Sequence, residues 1–151
     1  MSILKELKDE VETIFREKWE ETTAVDVPAP EDIALGNRAK LLDSATVLYA
    51  DLDGSTRMVD RKPWGFSAEV YKTFLRCTAR LIRDDEGAAI TAYDGDRIMA
   101  IFVGDSKNTR AVRCALKINY AVEVVIQSAL KNVYTSSDFV VEHVVLRDPL
   151  I

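Results

Sequence analysis

The chain has 151 residues, a net charge of −5 and an apolar fraction of 48%, so it is long enough for one domain with a hydrophobic core. The acidic balance argues against a nucleic-acid-binding protein, which usually carries a basic stripe. It does not exclude a nucleotide enzyme, because metal ions can offset phosphate charge locally. The N-terminus shows no signal-peptide pattern, and no apolar run approaches the ~20 residues of a membrane span. We therefore expect a cytoplasmic protein without nucleic-acid or membrane partners.

The first 43 residues predict an amphipathic helix and a surface loop. Apolar residues recur at near-helical spacing over 2–21. Residues 22–44 are polar and contain two prolines, which favours a loop. The helix is expected either to lie against the rest of the protein or to form a dimer contact. We treat 1–43 as an N-terminal segment and 44–151 as the functional domain.

The remaining sequence predicts four strands and two long helices. The strands are expected at 45–52, 88–92, 97–103 and 139–145, and the helices at 64–84 and 107–132. The two middle strands flank an Asp-Gly pair within Tyr93–Asp96 and form a hairpin. The order βαββαβ predicts an α+β, ferredoxin-like fold with helices on one face of a mainly antiparallel sheet. Such a sheet can place the first strand beside the hairpin.

Two acidic turns at the ends of these strands form the candidate site. Asp51 ends the first strand and is followed by the small residues Gly54, Ser55 and Thr56, while Asp96 ends the hairpin turn. A turn aspartate by itself usually makes only a local Asx turn. Two aspartates from adjacent strands, however, can hold Mg²⁺ ions, and backbone N–H groups of a small-residue turn can face phosphates. The pair therefore favours a site for metal ions and a nucleoside triphosphate.

Two stretches resemble the catalytic domain of class III nucleotidyl cyclases: Ala45–Thr56 (ATVLYADLDGST) and Asp94–Phe102 (DGDRIMAIF). That family has a strand ending Phe-Ala-Asp-Leu, then a Gly-Ser-Thr or Gly-Phe-Thr turn. A later hairpin ends Gly-Asp and continues Met-Ala-Val-Phe. The resemblance covers about residues 44–145.

The resemblance implies a reaction and roles for these residues. Asp51 and Asp96 would bind two Mg²⁺ or Mn²⁺ ions, with help from the backbone carbonyl of Leu52, and Gly54–Thr56 would lie along the triphosphate. The ribose 3′-hydroxyl would attack the α-phosphate, giving a 3′,5′-cyclic nucleotide and pyrophosphate. The resemblance also implies a homodimer.

Three positions are relevant to which nucleotide base the site would accept. Adenylate cyclases carry a lysine, and guanylate cyclases a glutamate, at the position of Ala92, which cannot read a purine edge. Tyr49 shares a strand face with Asp51 by alternation, so it could fill space beside the base and favour a smaller one. Arg97 could donate to a base carbonyl, although strand alternation could equally turn it away.

These features, together with Ile90–Asp96 (ITAYDGD) and Ala115–Val122 (ALKINYAV), are similar to bacterial Pycsar pyrimidine cyclases. That group makes cyclic UMP or cyclic CMP as an antiphage alarm signal to a partner effector. The resemblance implies a pyrimidine nucleotide substrate, with UTP preferred to CTP, and a downstream effector that responds to the product.

The length of the chain leaves alternatives open. The family continues beyond the last strand with a segment that supplies an asparagine and an arginine to the other protomer. No such pair follows residue 145, so we expect the C-terminal part of the family domain to be missing here. The alternatives are an adenylate or guanylate cyclase, or a non-catalytic nucleotide-binding or dimerisation module of the same fold.

Overall fold

A computed structural model of the protein describes residues 2–33 and 36–150, with side chains as far as residue 145. The chain divides into two compact units, Met1–Asp43 and Ser44–Ile151. The second unit contains both stretches that form the candidate site. In the described part of the chain, no helix is long and apolar enough to cross a membrane.

The first unit consists of a helix and a small two-stranded sheet. Helix α1 (Ile3–Arg16) is followed by strands β1 (Glu20–Ala24) and β2 (Arg38–Leu42), which pair in parallel. The prediction of one helix over 2–21 and a loop over 22–44 is therefore wrong. The helix ends earlier than predicted, and two strands occupy part of the segment.

Two features outside hydrophobic periodicity explain this difference. The side-chain amide of Asn37 donates hydrogen bonds of 2.9 Å to the carbonyls of Ile14 and Glu17, which satisfies acceptors at the end of α1. Strand β1 has the sequence Glu-Glu-Thr-Thr-Ala and is almost wholly exposed. It therefore has no apolar alternation, and only its β-branched threonines favour a strand.

Four antiparallel strands form the sheet of the second unit. They are β3 (Ala45–Asp53), β4 (Ala88–Asp94), β5 (Arg97–Phe102) and β6 (Glu142–Leu150), and their order across the sheet is β4-β5-β3-β6. This is the strand order of a ferredoxin-like βαββαβ fold, which confirms the predicted α+β class. The first strand of the unit, β3, lies directly beside the hairpin of β4 and β5.

The helices of the second unit are α2 (Ser55–Arg61), α3 (Trp64–Arg83), α4 (Lys107–Tyr120) and α5 (Gln127–Val133), and a π-helical turn (Ala121–Ile126) joins the last two. The sequence predicts only a polar segment over 57–61, where the structure has α2. Gly54 explains this difference, because its φ of +67° turns the chain from strand directly into helix.

The last strand begins at Glu142, later than the predicted 139–145. The side chain of Gln127 explains the delay. Its amide nitrogen donates to the carbonyl of Phe139 at 3.0 Å, and its amide oxygen accepts from the N–H of Val141 at 2.9 Å. These backbone groups therefore bond a helix side chain and not a neighbouring strand.

The core lies between one face of the sheet and the helices. Alternation along β3 sends Leu48, Ala50 and Leu52 to this face, where each is at most 3% exposed. They belong to one apolar cluster with Phe74 of α3 and Ile118 of α4. By the same alternation, Tyr49 and Asp51 lie on the opposite face of the sheet, and the candidate site belongs to that open face.

Candidate nucleotide and metal site

An ion pair joins the first strand to the hairpin at the candidate site. Asp51 of β3 and Arg97 of β5 are direct partners in the antiparallel ladder, and a guanidinium nitrogen of Arg97 lies 3.3 Å from a carboxylate oxygen of Asp51. The side chains are 34% exposed for Asp51 and 47% for Arg97. Because exposed ion pairs contribute only about 0–1 kcal/mol, a ligand can rearrange this one at small cost.

Arg97 is surrounded by three aspartates. The hydrogen bond from Arg97 to Asp51 and the charge of Asp51 raise the pKa of Arg97, and the charges of Asp94 and Asp96 add to the effect. The hairpin causes this clustering, since Asp94 and Arg97 pair across a two-residue turn in which Gly95 has a φ of +59°. The positive charge of Arg97 therefore offsets part of the negative charge of Asp51, Asp94 and Asp96.

The two predicted metal-binding aspartates lie at the same end of the sheet. Asp96 directly precedes Arg97 and is partly exposed. Because Arg97 pairs with Asp51, the carboxylates of Asp51 and Asp96 come from adjacent strands within one position of the ladder. Leu52 follows Asp51 and buries its side chain in the core.

The donor set fits a divalent ion whose remaining ligands come from substrate and water. Side chains of three or more His, Cys, Asp or Glu residues do not converge anywhere in the described residues to form a metal site by themselves. Asp51, Asp96 and the Leu52 carbonyl offer hard oxygen atoms, which Mg²⁺ and Mn²⁺ prefer. Mg²⁺ commonly takes one or two carboxylates and completes its shell with phosphates and water. Such an ion would have to share Asp51 with Arg97 or displace it.

The predicted phosphate turn forms the start of a helix. Gly54 precedes the first residue of α2, and Ser55 and Thr56 lie in its first turn. The first N–H groups of a helix have no acceptor within the helix, so those of this turn can donate to an anion. The turn follows β3 directly, which places it just beyond Asp51.

Arg57 is a candidate that sequence reasoning missed. Its guanidinium folds back over the turn, since a Cβ atom added at Gly54 would lie 3.1 Å from the Arg57 Nη2 atom. The only ion pair of Arg57 among the described residues is with Glu142 at 3.8 Å, where both side chains are more than half exposed. Arg57 also lines a cavity of about 420 Å³ with Arg61 and Lys62. Recognition of α2 would have revealed this placement, because residues three apart in a helical turn are neighbours.

A row of three side chains crosses the open face of the sheet beside the aspartates. Tyr49 of β3 pairs with Met99 of β5, and Met99 pairs with Ala92 of β4. The guanidinium carbon of Arg97 lies 6.0 Å from the centre of the Tyr49 ring, so Arg97 is on the face of Tyr49 and Asp51. Sequence reasoning left the orientation of Arg97 open and missed Met99, which strand alternation from Arg97 would have indicated.

Solved structures with the same fold are nucleotidyl cyclases and a cyclase-like protein. A class III adenylyl cyclase-like ATP-binding protein from Pseudomonas aeruginosa matches 97% of this chain and 33% of its own length, with a TM-score of 0.69 and 15% identity. The guanylyl cyclase Cya2 matches 70% of this chain and 53% of its own, with a TM-score of 0.61 and 18% identity. At these identities the likeness shows the fold, which is that of class III nucleotidyl cyclases.

Sequence comparison finds curated relatives named uridylate cyclase. The protein from Burkholderia cepacia is 57% identical over 146 residues, which is 96% of this chain and 63% of the relative. The protein from Xanthomonas perforans is 50% identical over 143 residues, which is 91% of this chain and 61% of the relative. No protein-family model matches the chain. The chain therefore has the fold of class III nucleotidyl cyclases, and its sequence is similar to curated uridylate cyclases. It spans about three fifths of the length of these relatives.

Proposed function

We propose that the protein is a uridylate cyclase, which converts UTP to 3′,5′-cyclic UMP and pyrophosphate. The convergence of Asp51 and Asp96 beside the Gly54 turn, on the open face of the sheet, carries the proposal. A module that only bound a partner would have no need of two carboxylates and a phosphate turn at one end of the sheet. The name shared by the curated relatives supports UTP as the substrate.

The aspartates would hold divalent ions at the reacting end of the nucleotide. Asp51, Asp96 and the carbonyl of Leu52 would provide the oxygen ligands. When bound, two Mg²⁺ or Mn²⁺ ions supply the chemistry that makes the 3′-hydroxyl a better nucleophile and stabilises negative charge on the phosphate. The carboxylates fix where that charge is stabilised, because both are anchored at the ends of paired strands.

The turn after β3 binds the triphosphate tail. Backbone N–H groups at Gly54, Ser55 and Thr56 donate to phosphate oxygens, and the Thr56 hydroxyl is a further donor in that turn. Arg57 adds a guanidinium, which binds phosphate oxygens through two donors at once. The pyrophosphate that leaves is held by the same groups until it is released.

The row of Tyr49, Met99 and Ala92 receives the base. Tyr49 is 36% exposed, so its ring is available to pack against a pyrimidine, while its bulk leaves less room for a purine. Ala92 offers no hydrogen bond to a purine edge. Arg97, held above Tyr49, donates to the C4 carbonyl oxygen of uracil. Cytosine has an amino group at C4 in place of this carbonyl, and a donor at this position therefore favours UTP.

The proposal includes a homodimer and a downstream partner. Tyr49 and Val144 on the open face of the sheet are 36% and 42% exposed. These exposed side chains support a second protomer that covers this face.

The product acts on a separate effector that responds to cyclic UMP, as part of antiphage defence. This expectation comes from the resemblance to Pycsar cyclases.

Product formation by the predicted aspartates tests the proposed function. The purified full-length protein is incubated with UTP and Mn²⁺, and the products are identified by mass spectrometry. We expect cyclic UMP and pyrophosphate from the unmodified protein and a loss of at least about a hundredfold in Asp51→Asn and Asp96→Asn. Asp105→Asn removes an exposed carboxylate beyond the opposite end of β5 and should keep the activity. Cyclic UMP formation that survives both site substitutions would refute this assignment of the aspartates.

A further inference from the structure

Helix α3 carries a second cationic surface, which shares no residue with the cavity lined by Arg57, Arg61 and Lys62. Arg76, Arg80 and Arg83 recur at i, i+4 and i+7, so they form one stripe along the helix, and all three are exposed. Together with Tyr93 of β4 they line a cavity of about 490 Å³. We call this cavity the arginine groove.

No nearby carboxylate neutralises the arginine groove. Within the described residues, none of its three guanidinium groups has a carboxylate oxygen within 4.0 Å, because the ion pairs of this unit involve other cations. The two acidic residues that follow α3 are engaged elsewhere: Asp84 pairs with Lys117 at 3.1 Å and Asp85 with Arg110 at 2.5 Å. Three adjacent arginines repel one another, so a bound anion would relieve this repulsion.

Tyr93 gives the groove a polar and an aromatic component. An Arg83 guanidinium nitrogen donates to the Tyr93 hydroxyl at 3.3 Å, which holds Arg83 toward β4. The Tyr93 side chain is still 52% exposed, so its ring can contact a ligand.

We propose that the arginine groove binds the phosphate groups of an oligophosphate, such as inorganic triphosphate or a nucleoside triphosphate. Guanidinium groups bind phosphate oxygens through paired donors, and three of them offset most of the negative charge of a triphosphate. The volume of the groove lies within the ~300–1,000 Å³ of small-molecule sites. The site is separate from Asp51 and Asp96 and does not depend on the proposed reaction.

Calorimetric titration without divalent ions tests the proposal. In EDTA the aspartate site repels phosphate, so binding of inorganic triphosphate to the unmodified protein reports on the cationic surfaces. We expect Arg80→Gln/Arg83→Gln to weaken this binding about tenfold or more, because each charge-assisted hydrogen bond contributes roughly a factor of ten. The matched control is Arg113→Gln/Lys131→Gln, which removes the same charge from exposed positions outside the groove and should bind normally.

Three results would overturn the proposal: no binding to the unmodified protein, an equal loss in the matched control, or a loss in Arg57→Gln that Arg80→Gln/Arg83→Gln does not share. A parallel titration with UTP identifies the source of the phosphates. Tighter binding of UTP than of inorganic triphosphate, with the difference lost in Tyr93→Leu, supports a nucleotide as the ligand. Equal binding supports recognition of the phosphate chain alone.

Discussion

Arg97 and Asp51 face each other across adjacent antiparallel strands and form an ion pair of 3.3 Å. Asp51 is one of the two aspartates proposed to bind metal, so a positive charge of the protein itself occupies part of the metal site. A bound ion and Arg97 would lie on the same carboxylate and repel each other. The ion pair is therefore expected to oppose the binding of a divalent ion in the absence of nucleotide.

The first prediction concerns metal affinity in the absence of nucleotide. Arg97→Gln removes the competing charge, and we expect it to tighten Mn²⁺ binding by about two- to fivefold, as the loss of one exposed ion pair implies. Electron paramagnetic resonance of free Mn²⁺ measures this directly. Arg113→Gln, an exposed arginine on α4, is the control. Unchanged or weaker Mn²⁺ binding in Arg97→Gln would show that Asp51 does not hold the ion.

The second prediction concerns the triphosphate tail. Arg57→Gln removes a guanidinium that lies over Gly54, and we expect the KM for UTP to rise about tenfold, the value of one charge-assisted hydrogen bond. The kcat should fall less, since the contact is made before and during the reaction. Steady-state kinetics on the variant and on Arg113→Gln separate the site from general charge effects. A normal KM in Arg57→Gln would exclude this residue from the phosphate site.

The third prediction concerns the size of the base. Tyr49→Ala opens space beside Met99 and Ala92, and we expect the ratio of kcat/KM for ATP to that for UTP to rise about tenfold. The substitution should leave the fold intact, because Tyr49 is on the open face of the sheet. Tyr120→Ala changes another exposed tyrosine, at 61%, and should keep the original ratio. An unaltered ratio in Tyr49→Ala would remove this ring from the base site.

The fourth prediction concerns stability and pH. Burial lowers the pKa of His143 below its ordinary value, and the charge of Glu123 offsets this only in part. The unfolded chain then binds a proton more readily than the folded chain, so stability falls as the pH drops through the ordinary histidine value of ~6.5. It levels off once the folded-state histidine is also protonated.

Urea unfolding at pH 7.5 and pH 5.5 measures this effect. We expect the midpoint of the unmodified protein to decrease at the lower pH, and His143→Gln to decrease less. No other histidine is present in the sequence, so the difference between the two proteins belongs to this side chain. Equal decreases would place the pH dependence on other groups.

The sequence predicts the second unit well because its signals are local and strong. The apolar alternation of β3 and the Asp-Gly hairpin indicate the strands and their register. This register places Asp51 and Asp96 at one end of the sheet. The first unit is predicted poorly, since β1 is polar and the end of α1 depends on Asn37, a residue distant in sequence. Hydrophobic periodicity contains neither piece of information.

Side-chain placement within the site could be predicted only in part. The position of Arg57 depends on helix α2, which begins because Gly54 adopts a positive φ. The sequence of α2 is short and mostly polar, so it gives no periodic hydrophobic pattern from which the helix could be predicted. The orientation of Arg97 depends on where the two-residue turn ends, and a shift of one position reverses the face. Met99 follows from the same register.

The central claim is that this fold selects a pyrimidine nucleotide and cyclises it. A competition assay tests it most directly: the full-length protein is incubated with equimolar UTP, CTP, ATP and GTP and Mn²⁺, and each cyclic product is quantified by mass spectrometry. The account predicts that cyclic UMP predominates, that cyclic CMP is the minor product, and that cyclic AMP and cyclic GMP are formed at least about tenfold less. Equal amounts of all four products, or a predominant purine product, would contradict it.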